Sequence, residues 1–316
     1  MAIISINKRI SKILENTNQI GYSTGIDKLD GAIHGYQNGK LITVAAVSGC
    51  GKTSFLTDGI IEVSKQVPVG VYSIEMGTKE VVDRAVYNIA GLNYHRCKKS
   101  ITKKEAELVE AAKMELSLQH DIFVAGKDNK GNPEFIQVDC MYPDFILDKN
   151  KPQDSIELVM EEMYDAGARA FFIDYIQLVR WGFKSESETL RLKELTNRLK
   201  AKALSYDVPI IILSQLTKEA ANRVKKKDVD PTPTISDIRD GGYIVNDSDV
   251  ILLLHRPDMI DKTNEELNLL VDAEEDAQII IGKGRNGPNG MLKVVFRNYC
   301  MSWRSAIRKV NPDELF

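Results

Sequence analysis

The sequence predicts an α/β protein built on a mostly parallel sheet with helices on both faces. Three features carry that prediction. Unbroken apolar runs alternate with helix-length stretches: LITVAAV (41–47), VGVYSIE (69–75), AFFIDYIQL (170–178), PIIILSQ (209–215) and DVILLLH (249–255). Strands without polar alternation need cover on both sides, which is the mark of a parallel sheet. The first run ends in a glycine-rich loop, AVSGCGKTS (46–54), and a helical pattern begins at about Thr53. Near the end, QIIIGKGRNGPNGMLKVVF (278–296) reads as a hairpin around Gly-Pro-Asn-Gly.

In chain order, Ile3, Ile6, Ile10, Ile13 and Leu14 recur at helical spacing with Lys8, Arg9 and Lys12 between them. Residues 1–20 are therefore expected to hold a short amphipathic linker helix and a polar connector. Its apolar stripe has two possible destinations, its own domain or a neighbouring subunit. Residues 21–316 are expected to form the main domain. Within it, a helical stretch should follow VGVYSIE through Ala90, and DIFVA (121–125) should add a strand. Residues 126–152 combine turn formers with short alternating runs, and the expectation is an insertion carrying a β-hairpin. Leu192, Leu195, Leu199 and Ala203 mark one apolar face of a later helix. The polar, basic stretch 217–240, with RVKKKDVDPTPT, resists assignment to a strand or helix.

Composition narrows the classes. The net charge of −3 gives no bulk electrostatic attraction to nucleic acid, so any such site must be local. Cys50, Cys97, Cys140 and Cys300 lack C-x-x-C spacing, and the histidines do not pair with them. That argues against a zinc site and for a reducing, cytoplasmic setting. No run reaches about 18 apolar residues, and MAIISINKRISKIL lacks a long apolar core, so no membrane role is expected.

The loop carries the first chemistry. It nearly matches G-x-x-x-x-G-K-[ST], with Ala46 where the first glycine would stand. That exchange should cost little, because the first position mainly sets the turn. Ser48, Gly49, Cys50, Gly51, Lys52, Thr53 and Ser54 would wrap ATP: backbone N–H groups and the helix N-terminus meet the phosphates, and Lys52 reaches the β- and γ-phosphates. A glycine-rich turn alone explains neither Lys52 nor Thr53. Mg²⁺ would take the Thr53 hydroxyl and Asp174, which ends the strand AFFID. Glu75 ends another apolar strand, where a carboxylate can orient and deprotonate water. Gln215 ends PIIILSQ and could report on the γ-phosphate through hydrogen bonds. Taken singly, each also reads as an ordinary polar residue ending a strand.

Together these strand ends resemble the C-terminal, RecA-like motor domain of DnaB-type replicative helicases. The resemblance runs from STGIDKLD (23–30) to SWRSAI (302–307) through SGCGKTS, YSIEM, FFIDYIQL, VPIIILSQL, SDIRDGG (236–242) and IIIGKGRNGP (279–288). It implies a ring-forming helicase, a homo-hexamer that hydrolyses ATP between subunits and travels on single-stranded DNA, with a primase or helicase loader as further partners. It assigns ATP and Mg²⁺ to Lys52 and Thr53, completion of the metal site to Asp174, the base to Glu75 and coupling to Gln215. Lys283 and Arg285 match the family's trans-acting lysine and arginine finger; such a finger typically contributes roughly 10³–10⁵ in rate. Arg239, Asp240, Gly241 and Gly242 match the loop that faces DNA, and Arg239 is expected well away from the strand ends that carry the ATP chemistry.

The resemblance does not include the family's N-terminal domain, so the expectation is a short form, of a kind that suits a phage or mobile element. IVNDSD (244–249) replaces a more acidic, glutamine-containing family stretch, and residues 126–152 have no counterpart. Two rival readings stand beside the helicase. One is a RecA- or KaiC-like ATPase that assembles without unwinding; the other is an ATP-gated adaptor or loader. Basic residues 225–227 read as a solvated loop or as a positive lining for a channel.

Overall fold

The computed structural model describes residues 20–127, 133–138, 156–179, 187–224, 229–257, 274–284 and 289–306. The linker helix expected within residues 1–20, the basic run 225–227, Arg285 and residues 139–152 lie outside the described residues.

Ten strands form one sheet in the order β10-β9-β8-β7-β1-β6-β5-β2-β3-β4. They are β1 (Leu41–Ala46), β2 (Val69–Gly77), β3 (Ile122–Lys127), β4 (Pro133–Val138), β5 (Ala170–Asp174), β6 (Ile210–Gln215), β7 (Val250–His255), β8 (Glu274–Gly284), β9 (Gly290–Arg297) and β10 (Ser302–Ser305). From β7 to β3 every pairing is parallel. Both flanks are antiparallel, with β4 on β3 at one edge and β8, β9 and β10 at the other.

The helices are α1 (Asp27–Ile33), α2 (Lys52–Ser64), α3 (Thr78–Ile89), α4 (Tyr94–Cys97), α5 (Lys103–Ser117), α6 (Ile156–Asp165), α7 (Glu188–Tyr206), α8 (Lys218–Val224) and α9 (Gly242–Asp247). Alternate strand residues serve opposite faces, as a pleated backbone requires. Ile42, Val44, Phe172, Ile211 and Leu213 pack with Phe55 and Ile60 of α2 and Val81 of α3. Leu41, Ala45, Phe171, Ile210 and Ile212 pack with Met160 of α6 and with Leu192, Leu195 and Leu199 of α7. Burying each Val, Leu, Ile, Phe or Met among them contributes about 1.5–3 kcal/mol, which is why the central strands read as unbroken apolar runs.

Three departures from the sequence reading have local causes. β5 stops at Asp174, as AFFID reads, but the rest of the apolar run AFFIDYIQL does not continue as strand: Ile176–Leu178 is a short 3-10 turn. Its residues Ile176 and Gln177 are buried all the same, and burial alone does not separate a strand from a turn. The terminal hairpin has a third strand, β10, too short to announce itself by pattern. The basic stretch after Gln215 includes helix α8. At the other edge, β3 and β4 pair antiparallel from Ile122↔Val138 to Lys127↔Pro133, so the start of the segment expected as an insertion is a hairpin strand.

The third strand has a structural task. Asp58, buried on α2, accepts from Asn88 Nδ2 (2.9 Å), Ser302 Oγ (2.8 Å), Arg304 Nη1 (3.0 Å) and Trp303 N (2.6 Å). Burial pushes its carboxyl upward, and the Arg304 charge and these hydrogen bonds oppose the shift. Next to this joint, Trp303 Nε1 donates to Gly51 O at 3.0 Å. We expect Asp58→Asn to cost about 2–4 kcal/mol, since an amide N–H₂ would face donors and Arg304 would lose its carboxylate while keeping only the neutral acceptors Trp303 O and Asn88 Oδ1. Urea unfolding measures this, and parental stability in the variant would mean that the joint holds nothing together.

Candidate nucleotide and nucleic-acid site

Register brings the functional strand ends to one edge of the sheet. Ala46 pairs with Gln215 across β1 and β6, and Ser73 pairs with Asp174 across β2 and β5. Glu75 lies two residues beyond Ser73 on β2, which does not end there as expected but runs on to Gly77, next to the start of α3. The carboxyl ends of adjacent parallel strands are the usual ligand crevice of such sheets. Ala46 still belongs to β1, so an extended residue suffices where the pattern has glycine.

Between Ala46 and α2 the chain turns sharply, with Gly49 at φ 81° and Gly51 at φ 96°, backbone that side chains rarely adopt. A Cβ on Gly51 would also come within 3.0 Å of Phe296 and 3.2 Å of Trp303. Ser48 and Gly49 face solvent, whereas the Cys50 thiol is buried against Leu254 O at 3.4 Å. Burial pushes that thiol up to about 11, so Cys50 is packing rather than nucleophile. Ser54 is buried on α2 beside the loop.

Lys52 Nζ donates to Ala46 O (3.1 Å) and Val47 O (3.3 Å). Burial lowers its pKa, while the Cys50, Asp174 and Glu75 groups favour the charged form. Thr53 Oγ1 donates to Asp174 Oδ2 at 3.2 Å. Burial, reinforced by the Glu75 charge, raises the Asp174 carboxyl to about 6. Its Oδ1 is buried without a hydrogen-bond partner. An orphaned carboxylate oxygen beside a threonine hydroxyl fits a hard divalent cation, so Thr53 and Asp174 suit Mg²⁺. Glu75 itself is solvent-exposed beside these groups.

The SDIRDGG segment is not remote from this edge, contrary to expectation. Arg239 N donates to Gln215 O (2.9 Å), Thr217 N to Asp237 O (2.8 Å), and Leu216 bridges Ile238. Distance along the chain hides this short antiparallel return. Asp240 adopts a left-handed φ of 54°, and a Cβ on Gly241 would come within 2.6 Å of Ile238 O, so the glycine permits the tight turn into α9. The Arg239 side chain is 52% exposed and lies 3.7 Å from Asp240. Asp237 is taken by Arg223 of α8. Lys283 Nζ donates to Val245 O (2.5 Å) and Asn246 O (3.2 Å) near the end of α9.

Two contributors escaped the sequence reading. Arg84 pairs with Glu80 at 2.8 Å on α3, yet its charge also draws the Asp174 carboxyl downward. By pattern it is an ordinary i, i+4 surface pair. Trp303, fully buried, braces the loop through Gly51. Its only signal is a lone tryptophan in SWRS.

Asp174→Asn should stabilise the nucleotide-free chain at pH 7.5 by about 1–3 kcal/mol, by removing a desolvated charge. A carboxyl raised from its ordinary 3.8 to about 6 carries no penalty below pH 4 and its full penalty above pH 6. The gain should therefore vanish as pH falls through that window. Melts at several pH values measure it, and a gain independent of pH would mean that Asp174 ionises normally.

Comparison with known proteins gives a consistent result. The profile of the family described as DnaB-like helicase C terminal domain matches residues 21–305. The chain is 29% identical over 291 residues to the replicative DNA helicase DnaB of Pasteurella multocida, spanning 91% of this chain and 56% of that protein. It is 30% identical over 294 residues to the DnaB of Mycoplasma genitalium, spanning 90% and 56%. The chain thus spans about half the length of the curated relatives it matches. In fold it is similar to a separately solved ATPase domain, with a TM-score of 0.75 and 23% identity over 97% of this chain and 100% of that one. A DnaB-like replicative helicase solved in a study of its interactions with primase gives a TM-score of 0.72 and 23% identity, over 97% of this chain and 68% of that one. The fold is the RecA-like one. Among the described residues, no helix is long and apolar enough to cross a membrane.

Proposed function

We propose that this chain, which belongs to the DnaB-like helicase C-terminal domain family, is an ATP-driven motor that forms a hexameric ring and unwinds duplex DNA by travelling on one strand. The observation that carries this reading is the joint between its two halves. Gln215 O, on the nucleotide edge, accepts the amide of Arg239, in the loop expected to face DNA.

ATP would lie over Ser48, Gly49, Cys50, Gly51, Lys52, Thr53 and Ser54, with Lys52 exchanging the carbonyls of Ala46 and Val47 for phosphate oxygens. Thr53 and Asp174 would hold Mg²⁺, which when bound offsets charge on the β- and γ-phosphates. Glu75 would orient the attacking water and take its proton. Lys283 and Arg285 would reach a neighbour's γ-phosphate, so turnover would depend on assembly. Arg239 and the backbone N–H groups of Asp240, Gly241 and Gly242 would hold successive phosphates without reading sequence. The setting would be the cytoplasm, with a primase or loader as further partner.

A forked-DNA assay combined with native mass, with and without ATP, tests the whole reading. Strand displacement by a ring is the expected result. Stimulated turnover without displacement would favour the RecA- or KaiC-like alternative, and absence of turnover the adaptor. Glu75→Gln should keep ATP binding yet lose about 10²–10⁴ in turnover. Parental hydrolysis in that variant would move the base elsewhere.

Arg239→Ala should leave basal ATPase intact and weaken single-strand binding equally for all sequences. The salt slope should flatten by about 0.7, one phosphate contact on a single strand. The exposed Arg239–Asp240 pair is worth only about 0–1 kcal/mol, so folding should not change. Unchanged oligonucleotide titrations across salt concentrations would take Arg239 out of the DNA path.

A further inference from the structure

We propose that Gln177 is a positioning residue that ties the Asp174 segment, the Gln215 strand end and the Arg239 loop into one unit, so that single-strand binding alters ATP turnover. The inference rests on the motor reading above and assigns its coupling to a residue that touches neither ATP nor DNA.

Gln177 lies in the 3-10 turn three residues after Asp174, and its side chain is only 7% exposed. A buried amide needs partners for two N–H donors and one oxygen. Here each partner lies on the other two segments. Nε2 donates to Ser214 Oγ (2.8 Å) and reaches Arg239 O (3.5 Å), while Oε1 accepts from Gln215 N (3.4 Å).

The turn that carries Gln177 is itself anchored. Arg191 of α7 donates to Gln177 O at 2.8 Å and to Val179 O. The amide therefore projects from a fixed base onto the place where β6 meets the loop. Beyond that meeting point the connection continues to the phosphate loop. Leu216 N donates to Ala46 O (3.2 Å), and the same carbonyl holds Lys52 Nζ. Tyr175 lies in the same layer, its phenol in the fields of Glu75, Asp174 and Arg239 and in a hydrogen bond with Gln215. A displacement of Gln215 on phosphate binding thus acts on Arg239 by two routes, its own carbonyl on the Arg239 amide and the Gln177 amide that holds both segments.

The test uses Gln177→Met, which keeps length and apolar packing but removes all three bonds, and Ser214→Ala, which removes the shortest one. In the full chain, basal kcat should stay within about twofold, while stimulation by oligo(dT) falls about tenfold in Gln177→Met and partially in Ser214→Ala. Hydrogen exchange at the Arg239 amide should speed up in both variants. A purely structural glutamine would instead lower basal and stimulated rates in proportion. Parental stimulation in both variants, or proportional loss of both rates, overturns the inference while leaving the motor reading in place. Should Gln177→Met fail to fold, Ser214→Ala decides: unchanged stimulation and exchange overturn the inference. A parental chain without ATPase or without stimulation fails at the motor reading itself, and this inference falls with it.

Discussion

Parallel strands can neighbour one another only if a crossover, here helical, carries the chain back between them, and their carboxyl ends then share one edge. Everything else in this protein depends on that constraint acting on β1, β6, β5 and β2. It sets Ala46 beside Gln215 and Ser73 beside Asp174, although these residues are far apart in sequence. It also concentrates backbone polarity there. The Ala46 carbonyl serves both Lys52 and the amide of Leu216, so the phosphate loop and the β6 end share one acceptor. A ligand that draws Lys52 away changes the surroundings of both.

The antiparallel flank brings the chain back to the loop from the other side. Trp303 and Phe296 close on Gly51, and Asp58 fastens β10 to α2. Behind Phe296 lies a buried ion pair, Arg256–Glu275 at 2.6 Å, with the guanidinium 3.9 Å from the Phe296 ring centroid. Such a pair is poor evidence for stability, because desolvation offsets most of the attraction. Its effect is geometric: the guanidinium fixes the ring that bounds the glycine. Gly51 thus holds its left-handed backbone against a packed far side, while Gly49 stays open to solvent.

The charges at the edge compete with one another and with burial. The Glu75 charge and burial both disfavour ionisation of Asp174, and Lys52 is partly dehydrated on two carbonyls. A triphosphate with its cation would satisfy all of them, supplying anionic partners to Lys52 and positive charge to Asp174. The tension at this edge is electrostatic, and it lies at the groups that a nucleotide and its cation would relieve.

Which central strands exist follows from the sequence: unbroken apolar runs mean two covered faces, and the polar group that closes a run marks the edge at Asp174 and Gln215. Asp174 and Gln215 were legible for that reason, and Lys52 and Thr53 from the glycine loop that leads into α2; Glu75 was singled out in the same way, although β2 runs past it to Gly77. The strand order, the short 3-10 turn after Asp174, the β10 strand and the helix in the basic stretch were not. Neither were the braces Asp58 and Trp303, nor the bond that sets Arg239 against Gln215. A periodic pattern records how a segment is buried, not what buries it. Bonds between residues far apart in sequence leave no periodic trace, so the joint between the nucleotide edge and the SDIRDGG loop was decided by tertiary structure alone.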